Sequence, residues 1–543
     1  MRLAGSREGS ARRVGPSTLR TPARPAELHH APPAGEQRDA LLPGPYRRRP
    51  NHRIDRIPAP VHLAAILALA AGLRVWQLNE VGFNSDEAVY SGQAAAIAGD
   101  PELKELFPVF RAHPLLFQTF LSLGFRIDLG VGFERVASAA AGVATVYLTY
   151  ELGRLLYGRK AGLFAALLMA LMPYHVVVTR QVLLDGPMTM FATLTLVLLS
   201  RFVLSGRPAW LYATGAGMGL TFLSKETGIV LVGAIFAFLA LTPELRVRLR
   251  DVAVATGVMA LVIAPFPLTL MFAGHTGTGE SYLTWQLFRR PNHDWVFYPD
   301  TVPEVIGPLV LVAAAAGLWL LRREGSWKEV LLLCWVAVPV VFFQLWPVKG
   351  YQYLLPIAVP LAVLAGRTLA SPRLVSRGLA AAGIAIVGIS LLVPTWDRVA
   401  SAGTGSFLAG SGGLPGGRET GKWIDANVPE GSTFMTIGPS MANLVQFYGH
   451  RRAYGLSVSP NPLNRNPSYE PLTNPDRALR HDEIQYIVWD TFSADRSPSF
   501  SRKLLGYAKR FNGRAVHVAL LSAGSPSGRK VRKPAIVVYE VRP

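Results

Sequence analysis

The chain is predicted to be an α-helical polytopic membrane protein with a C-terminal α/β domain outside the membrane. Three observations predict this. Half of the 543 residues are hydrophobic and mean hydropathy is +0.27, too apolar for an ordinary soluble domain. Apolar runs of ~20 residues, enough to cross a ~30 Å hydrocarbon core, recur from residue 60 to 395. Beyond 397 the composition turns Gly- and Ser-rich and then breaks into short β-rich runs.

The elements follow in chain order. Residues 1–57, rich in Pro, Arg, Ala and Gly, read as a disordered basic cytoplasmic tail. Its Arg47-Arg48-Arg49 cluster favours retention inside and contact with anionic lipid heads. The run 61–78 follows, and the basic stretch before it is too long for a cleavable signal. Later runs at 133–157, 161–180, 186–204, 209–224, 227–243, 252–273, 304–321, 329–346, 352–367 and 377–395 alternate in direction. Each inward end is basic, a self-consistent pattern over about eleven helices that puts the N-terminus in the cytoplasm. Residues 114–129 are apolar enough for a helix, but counting them as a span inverts every later loop. They are read as an interfacial or re-entrant helix in the first outer loop. The domain boundaries are therefore a spanning module at 58–396, a Gly/Ser-rich linker at 397–417 and an extracytoplasmic α/β domain at 418–543. That last domain has a helix near Glu419–Ala426 and strands at Thr433–Ile437, Tyr486–Trp489, Val516–Leu521 and Ala535–Val541.

Composition excludes several function classes. The net charge of +20 is accounted for by cytoplasmic loops and the tail, so no nucleic-acid partner is expected; the partners expected are membrane lipids. The single cysteine, Cys334, lies in an apolar run and excludes an intrachain disulfide or a cysteine metal cluster. There is no phosphate loop, dinucleotide fingerprint, HExxH or GxSxG motif.

The residues that could carry chemistry gather at the outer ends of the helices. Asp86-Glu87 emerges after the first span, where a carboxylate could act as a base or hold a metal. The same pair also fits a helix N-cap with first-turn acid before Ala88–Ala98. Asp185, ahead of Pro187, is a second carboxylate at such a boundary and equally a cap. Lys225 and Lys349 are the two lysines near outer helix ends, suited to a lipid phosphate or a departing phosphate, or else to snorkelling. Arg180, Arg289 and Arg290 compete for that role. His113 has no second histidine at ligand spacing, so no zinc site is expected. A magnesium or manganese ion on Asp86 and Glu87 is compatible with the carboxylates, as is a metal-free base. Trp285, Trp295 and Tyr298 could stack on sugars but fit an interfacial aromatic belt better.

Taken together, Asp86-Glu87-Ala88-Val89-Tyr90, His113-Pro114-Leu115-Leu116, Gly153-Arg154-Leu155-Leu156-Tyr157-Gly158, Arg180 with Asp185, Phe222-Leu223-Ser224-Lys225 and Lys349-Gly350-Tyr351-Gln352-Tyr353 resemble the GT-C polyprenyl-phosphate-sugar glycosyltransferases. That superfamily includes the family 39-like protein O-mannosyltransferases and the aminoarabinose transferases. The resemblance spans roughly 60–400. It implies a GT-C fold with a juxtamembrane helix in a large first outer loop. It implies a polyprenyl-phosphate sugar as donor and a protein, glycan or lipid as acceptor. By position it maps the acceptor-activating base onto Asp86 with Glu87 supporting, and the second acid onto Asp185. Substrate-binding positions become Tyr90, His113, Arg180, Lys225, Glu226, Lys349 and Tyr353. The chain departs from the pattern after His113-Pro114-Leu115, which lacks a second proline, and at Glu226, where a small residue is frequent.

Two functions are thus in play. One is an inverting glycosyltransferase of a bacterial plasma membrane, moving a hexose or pentose on the extracytoplasmic side. The other is a lipid or glycolipid flippase with an exterior partner-binding domain, which needs outer cations but no acid pair.

Overall fold

In the computed structural model the described residues are 59–109, 113–130, 132–274, 282–400 apart from 283, 287, 290 and 373–375, 414–524 and 530–542. The basic tail, the larger part of the expected linker (401–413) and Arg290 lie outside them.

Every predicted apolar run is helical. The segment after α1 (Ala59–Val75) contains α2 (Ser85–Ala98), α3 (Pro101–Leu106) and α4 (Leu116–Arg126). Next come α5 (Phe133–Tyr157), α6 (Arg159–Leu171), α7 (Pro173–Thr179), α8 (Asp185–Ser205) and α9 (Pro208–Ser224). The module closes with α10 (Val230–Leu241), α11 (Leu249–Ile263), α12 (Pro265–Phe272), α13 (Phe297–Ile306), α14 (Pro308–Leu320), α15 (Trp327–Leu345), α16 (Ala358–Ala370) and α17 (Arg377–Ala400). Helix α17 continues through 400, past the expected boundary at 396.

Among the described residues four helices are long and apolar enough to cross a membrane: Asp185–Ser205, Leu249–Phe272, Trp327–Leu345 and Gly378–Ala400. Two bent pairs raise the number to six. Helices α6 and α7 meet at 60° and α13 and α14 at 91°, each break falling at a proline that has no N–H to continue the helix. Fewer segments pass this test than the eleven expected, for two reasons. Pro60–Val75, Glu226–Leu241 and Leu355–Ala370 are apolar but short, and α9 has only 17 residues. Helix α5 is long but carries Glu134, Arg135, Glu151 and Arg154.

Helix α4 fits the interfacial assignment. Phe117 and Leu121 are buried, and Gln118 donates to Gln93 of α2 at 3.2 Å. Phe120, Leu123 and Ile127 on the other face are exposed. An apolar face left open beside a packed face suits a helix lying in the plane of a membrane surface.

The C-terminal part is the expected α/β domain. It contains α18 (Gly417–Asn427), β1 (Thr433–Thr436), α19 (Pro439–Gly449), β2 (Arg452–Gly455), α20 (Pro475–Arg480), β3 (Tyr486–Asp490), α21 (Thr491–Arg496), α22 (Pro498–Arg510), β4 (Arg514–Gly524) and β5 (Lys530–Glu540). The sheet order is β2-β1-β3-β5-β4. Strands β1, β2 and β3 are parallel, while β5 runs antiparallel to β3 and β4. Side chains alternate across the sheet. Phe434 and Val488 pack under α18 and α19 with Ile424 and Val445, whereas Met435 and Ile487 face Leu479, Leu504 and Ala508 of α20 and α22. Strand β2 went unpredicted because Arg-Ala-Tyr-Gly is short and lacks an apolar alternation.

Residues Ala59–Pro543 form one compact unit. Leu444, Phe447 and Tyr448 of α19 belong to the same hydrophobic cluster as the helices of the membrane module.

One carboxylate inside the domain makes a pH prediction. Asp490 caps α21 by accepting the Ser493 N–H at 2.7 Å, and burial pushes its carboxyl up from the ordinary 3.8 to about 6. The folded chain therefore binds this proton more tightly than the unfolded one. Stability falls as pH rises through the window from about 4 to about 6, by about 3 kcal/mol in all. Asp490→Asn keeps the capping oxygen and removes the ionisation. In thermal unfolding of the full chain it should melt above wild type at pH 7 and level with it near pH 4.

Candidate active site

The site is organised by the first turn of α2. Asn84 is its N-cap and forms a capping box with Glu87. The Glu87 N–H donates to Asn84 Oδ1 and the Asn84 N–H to Glu87 Oε2, both at 3.0 Å. The amide of Asn84 also donates to Gln181 Oε1 at 2.7 Å. Glu87 is fully buried. Its Oε1 accepts from Arg135 Nε at 2.7 Å and from the Val182 N–H at 3.0 Å. Its Oε2 accepts from Arg135 Nη2 at 2.7 Å. The remaining Arg135 donors satisfy the carbonyls of Leu78 (2.8 Å), Val81 (2.7 Å) and Gly82 (3.0 Å). A bidentate carboxylate–guanidinium pair with nearly all its other hydrogen bonds made is the form in which two buried charges are tolerated. Its removal by halves would leave an uncompensated charge inside the protein. Of the two acids predicted together, Glu87 holds the loop in place.

Asp86 is treated oppositely. Its side chain is half-buried and makes no hydrogen bond or ion pair with any described residue. Lys225, His113, Asp185 and Glu87 all act on it electrostatically, and burial, the largest influence, raises its carboxyl above the ordinary range. Tyr90, one turn further along α2, shares its face and meets the His113 ring edge-on at 6.0 Å.

Two ion pairs border this carboxylate. Asp185, the first residue of α8, accepts two bonds from the Lys225 ammonium, one at each carboxylate oxygen, at 2.9 and 2.8 Å. The ammonium also lies 5.0 Å from the centre of the Tyr353 ring. Lys225 follows the last turn of α9 in extended conformation, which turns its side chain back toward α8. An ammonium has three donors, so one remains for a ligand. His113 Nδ1 lies 2.7 Å from Glu226 Oε2, and the other Glu226 oxygen lies 3.5 Å from the Tyr282 hydroxyl.

Three predicted cations sit elsewhere or do other work. Arg180 donates to the carbonyls of Leu73, Arg74 and Trp76 at 2.8, 3.1 and 2.7 Å. It thereby caps the C-terminal end of α1, whose last carbonyls lack helical partners. Lys349 donates to the carbonyls of Gln344 and Trp346 at 3.3 Å each and lies over Trp295. Arg289 lies over Trp285. Among the described residues no group of three or more His, Cys, Asp or Glu side chains is placed to hold a metal ion. The Asp86–Glu87 pair does not fit magnesium or manganese, because both Glu87 oxygens are taken by Arg135 and backbone N–H groups. Sequence reasoning missed Arg135, Gln181 and Tyr282. The isolated arginine near the start of α5, an apolar helix, was the available signal for the first: a charge there needs a partner.

Comparison with known proteins agrees with this architecture. The family model described as dolichyl-phosphate-mannose-protein mannosyltransferase matches residues 112–271. Undecaprenyl phosphate-alpha-4-amino-4-deoxy-L-arabinose arabinosyl transferase 1 of Pseudomonas fluorescens is 28% identical over 254 residues, 43% of this chain and 45% of that protein. The match thus spans less than half of the relative's length. The crystal structure of ArnT from Cupriavidus metallidurans bound to undecaprenyl phosphate superposes with a TM-score of 0.66 at 15% identity, over 89% of this chain and 98% of that one. The archaeal oligosaccharyltransferase AglB from Archaeoglobus fulgidus, in complex with an inhibitory peptide and a dolichol-phosphate, gives a TM-score of 0.57 at 13% identity, over 89% and 75%. The chain has the GT-C fold. Its resemblance to the polyprenyl-phosphate-sugar glycosyltransferases is borne out in sequence and in structure.

The Asp185–Lys225 pair allows a direct test. Lys225→Met or Asp185→Asn alone strips one partner from a buried ion pair and should cost about 3–5 kcal/mol. The double variant should recover most of that loss in thermal melting while leaving function impaired. Full recovery of both would make the pair purely structural.

Proposed function

We propose that the protein is an integral-membrane glycosyltransferase. It moves a sugar, mannose-like or other, from a polyprenyl-phosphate donor to an acceptor on the extracytoplasmic side, with inversion. The observation that carries this reading is the contrast at α2: Asp86 is left without a partner beside the Lys225 ammonium, while its neighbours are fixed on both sides. An oriented carboxylate with free oxygens can take a proton from an acceptor hydroxyl or amine. A cation at the same site can stabilise a departing phosphate.

In this reading the acceptor oxygen or nitrogen attacks the anomeric carbon as its proton passes to Asp86. The bond from that carbon to the phosphate oxygen breaks on the opposite face, and the electron pair leaves with the polyprenyl phosphate. The third N–H of Lys225 meets that phosphate, and Asp185 holds the ammonium in place. Glu87 serves by fixing the helix start. His113, Glu226, Tyr90 and Tyr353 wall the donor pocket. A divalent cation, magnesium or manganese, would need donors other than Glu87. The relatives support the donor class: the names of two similar proteins carry undecaprenyl phosphate, and a third is described with a dolichol-phosphate. The eleven helical segments are assigned as spans of a plasma membrane, with the tail in the cytoplasm and the α/β domain outside. Of the aromatic residues expected at a lipid interface, Trp295 is exposed, whereas Trp285, Tyr298 and Lys349 are buried.

The test is whether the sugar leaves its phosphate. Membranes containing the protein are given polyprenyl-phosphate mannose labelled in the sugar, followed by a panel of other polyprenyl sugars, with and without chelator. The expected outcome is label on a new acceptor with release of unglycosylated polyprenyl phosphate, and no effect of chelator. Label that crosses the membrane still attached to its lipid would establish the flippase instead.

A further inference from the structure

The turn that carries Asp86 is gripped from outside the membrane module. Helix α19 of the C-terminal domain lies against α2, and its side chains reach the residues on either side of Asn84. The Phe83 N–H donates to the Tyr448 hydroxyl at 2.9 Å. The amide of Asn443 donates to Ser85 Oγ at 2.8 Å, with both groups buried. Phe83 packs between Phe447 and Tyr448, with ring centres 5.2 and 5.9 Å away, and the Arg135 guanidinium lies 5.0 Å over the Phe83 ring. One helix earlier, Arg418 donates to the carbonyls of Asn79 and Glu80 at 2.6 and 3.0 Å. The approach is close enough that a Cβ at Gly82 would fall 2.7 Å from Arg418 Cβ. Any side chain at 82 would push α18 away.

These contacts are unlike ordinary domain packing in one respect. They fall on the backbone N–H of residue 83 and the side chain of residue 85, both within three residues of Asp86. The membrane module fixes the same turn only from its other side, through Arg135 and Gln181. The Phe83 N–H precedes the helix and has no place in its hydrogen-bonding ladder, so without Tyr448 it would be a buried donor with nothing to bond.

We propose that Tyr448 and Asn443 are positioning residues for sugar transfer, through which the C-terminal domain sets the place of the Asp86 carboxylate. The inference rests on the reading of Asp86 as the acceptor's base. It gives the C-terminal domain a part in the chemical step although none of its residues touches the reacting atoms. Misplacement of a reacting group by about 1 Å can cost on the order of 100-fold in rate. The loss expected on releasing one of the two tethers is accordingly about 10- to 100-fold in kcat. The KM for the lipid-linked donor should be unchanged, because the cations and aromatics assigned to donor binding do not touch α19.

The test compares Tyr448→Phe and Asn443→Ala with wild type in the full-length membrane-embedded protein. Hydrogen exchange of the peptide covering 79–90 is followed alongside, with the β4–β5 hairpin as an internal control. The expected result is a fall in kcat for Tyr448→Phe and Asn443→Ala at constant donor KM. Faster exchange confined to 79–90 should accompany it. Unchanged kcat, a rise in KM alone, or faster exchange throughout the C-terminal domain would each overturn the positioning role. Absence of transfer by wild type itself would overturn the underlying functional reading, a different result from active variants.

Discussion

The buried pair between Glu87 and Arg135 is the interaction on which the site depends. It joins the first turn of α2 to α5, and the remaining Arg135 donors gather the carbonyls of Leu78, Val81 and Gly82 into one place. Two charges removed from water are costly, and their attraction compensates only when geometry and hydrogen bonding are nearly complete. Here they are. Both Glu87 oxygens are fully used, and the guanidinium is spread over one carboxylate and three carbonyls. The consequence is that the adjacent Asp86 can be left without a protein partner and still have a defined position.

A similar division runs through the rest of the site. Lys225 is neutralised and aimed by Asp185, and His113 is held by Glu226. Arg180 and Lys349 are absorbed in capping helix ends. Charged groups at this end of the bundle therefore sort into those whose hydrogen-bonding capacity is filled and those that keep some in reserve. Asp86 and Lys225 belong to the second set, and on the proposed reading they would supply the acid–base and cationic functions a phosphate-leaving substitution needs.

Much of this was legible in the sequence, for physical reasons. Hydropathy located the apolar runs of the module, each of which contains helix, but not the short α3 or α13. The conflict over 114–129 was itself informative, since a helix with Phe120 and Leu123 exposed on one face fits an interfacial position. Adjacent carboxylates after a span marked the site. The sequence could not divide the work between Asp86 and Glu87, because that depends on Arg135, forty-eight residues on from Glu87 and brought in only by the packing of α5. Nor could it tell a lysine paired with a carboxylate, as Lys225 is with Asp185, from one that caps a helix, as Lys349 does: both lie near helix ends. Contacts of the C-terminal domain with the first outer loop were equally hidden. Tyr448 and Phe83 are 365 residues apart, and neither stands in a motif. Short β2 and the bent pairs α6–α7 and α13–α14 were blurred by the weak local signal of brief elements and by proline breaks inside apolar runs.

The two neighbouring acids do different things, and one measurement tests this directly. Single-turnover transfer from a labelled polyprenyl-phosphate sugar would be compared with thermal melting for Asp86→Asn and Glu87→Gln in the same detergent-solubilised protein. Asp86→Asn should abolish transfer and melt like wild type. Glu87→Gln should melt several degrees lower, because the Arg135 charge is left uncompensated. Normal transfer by Asp86→Asn, or an unchanged melting point for Glu87→Gln, would contradict it.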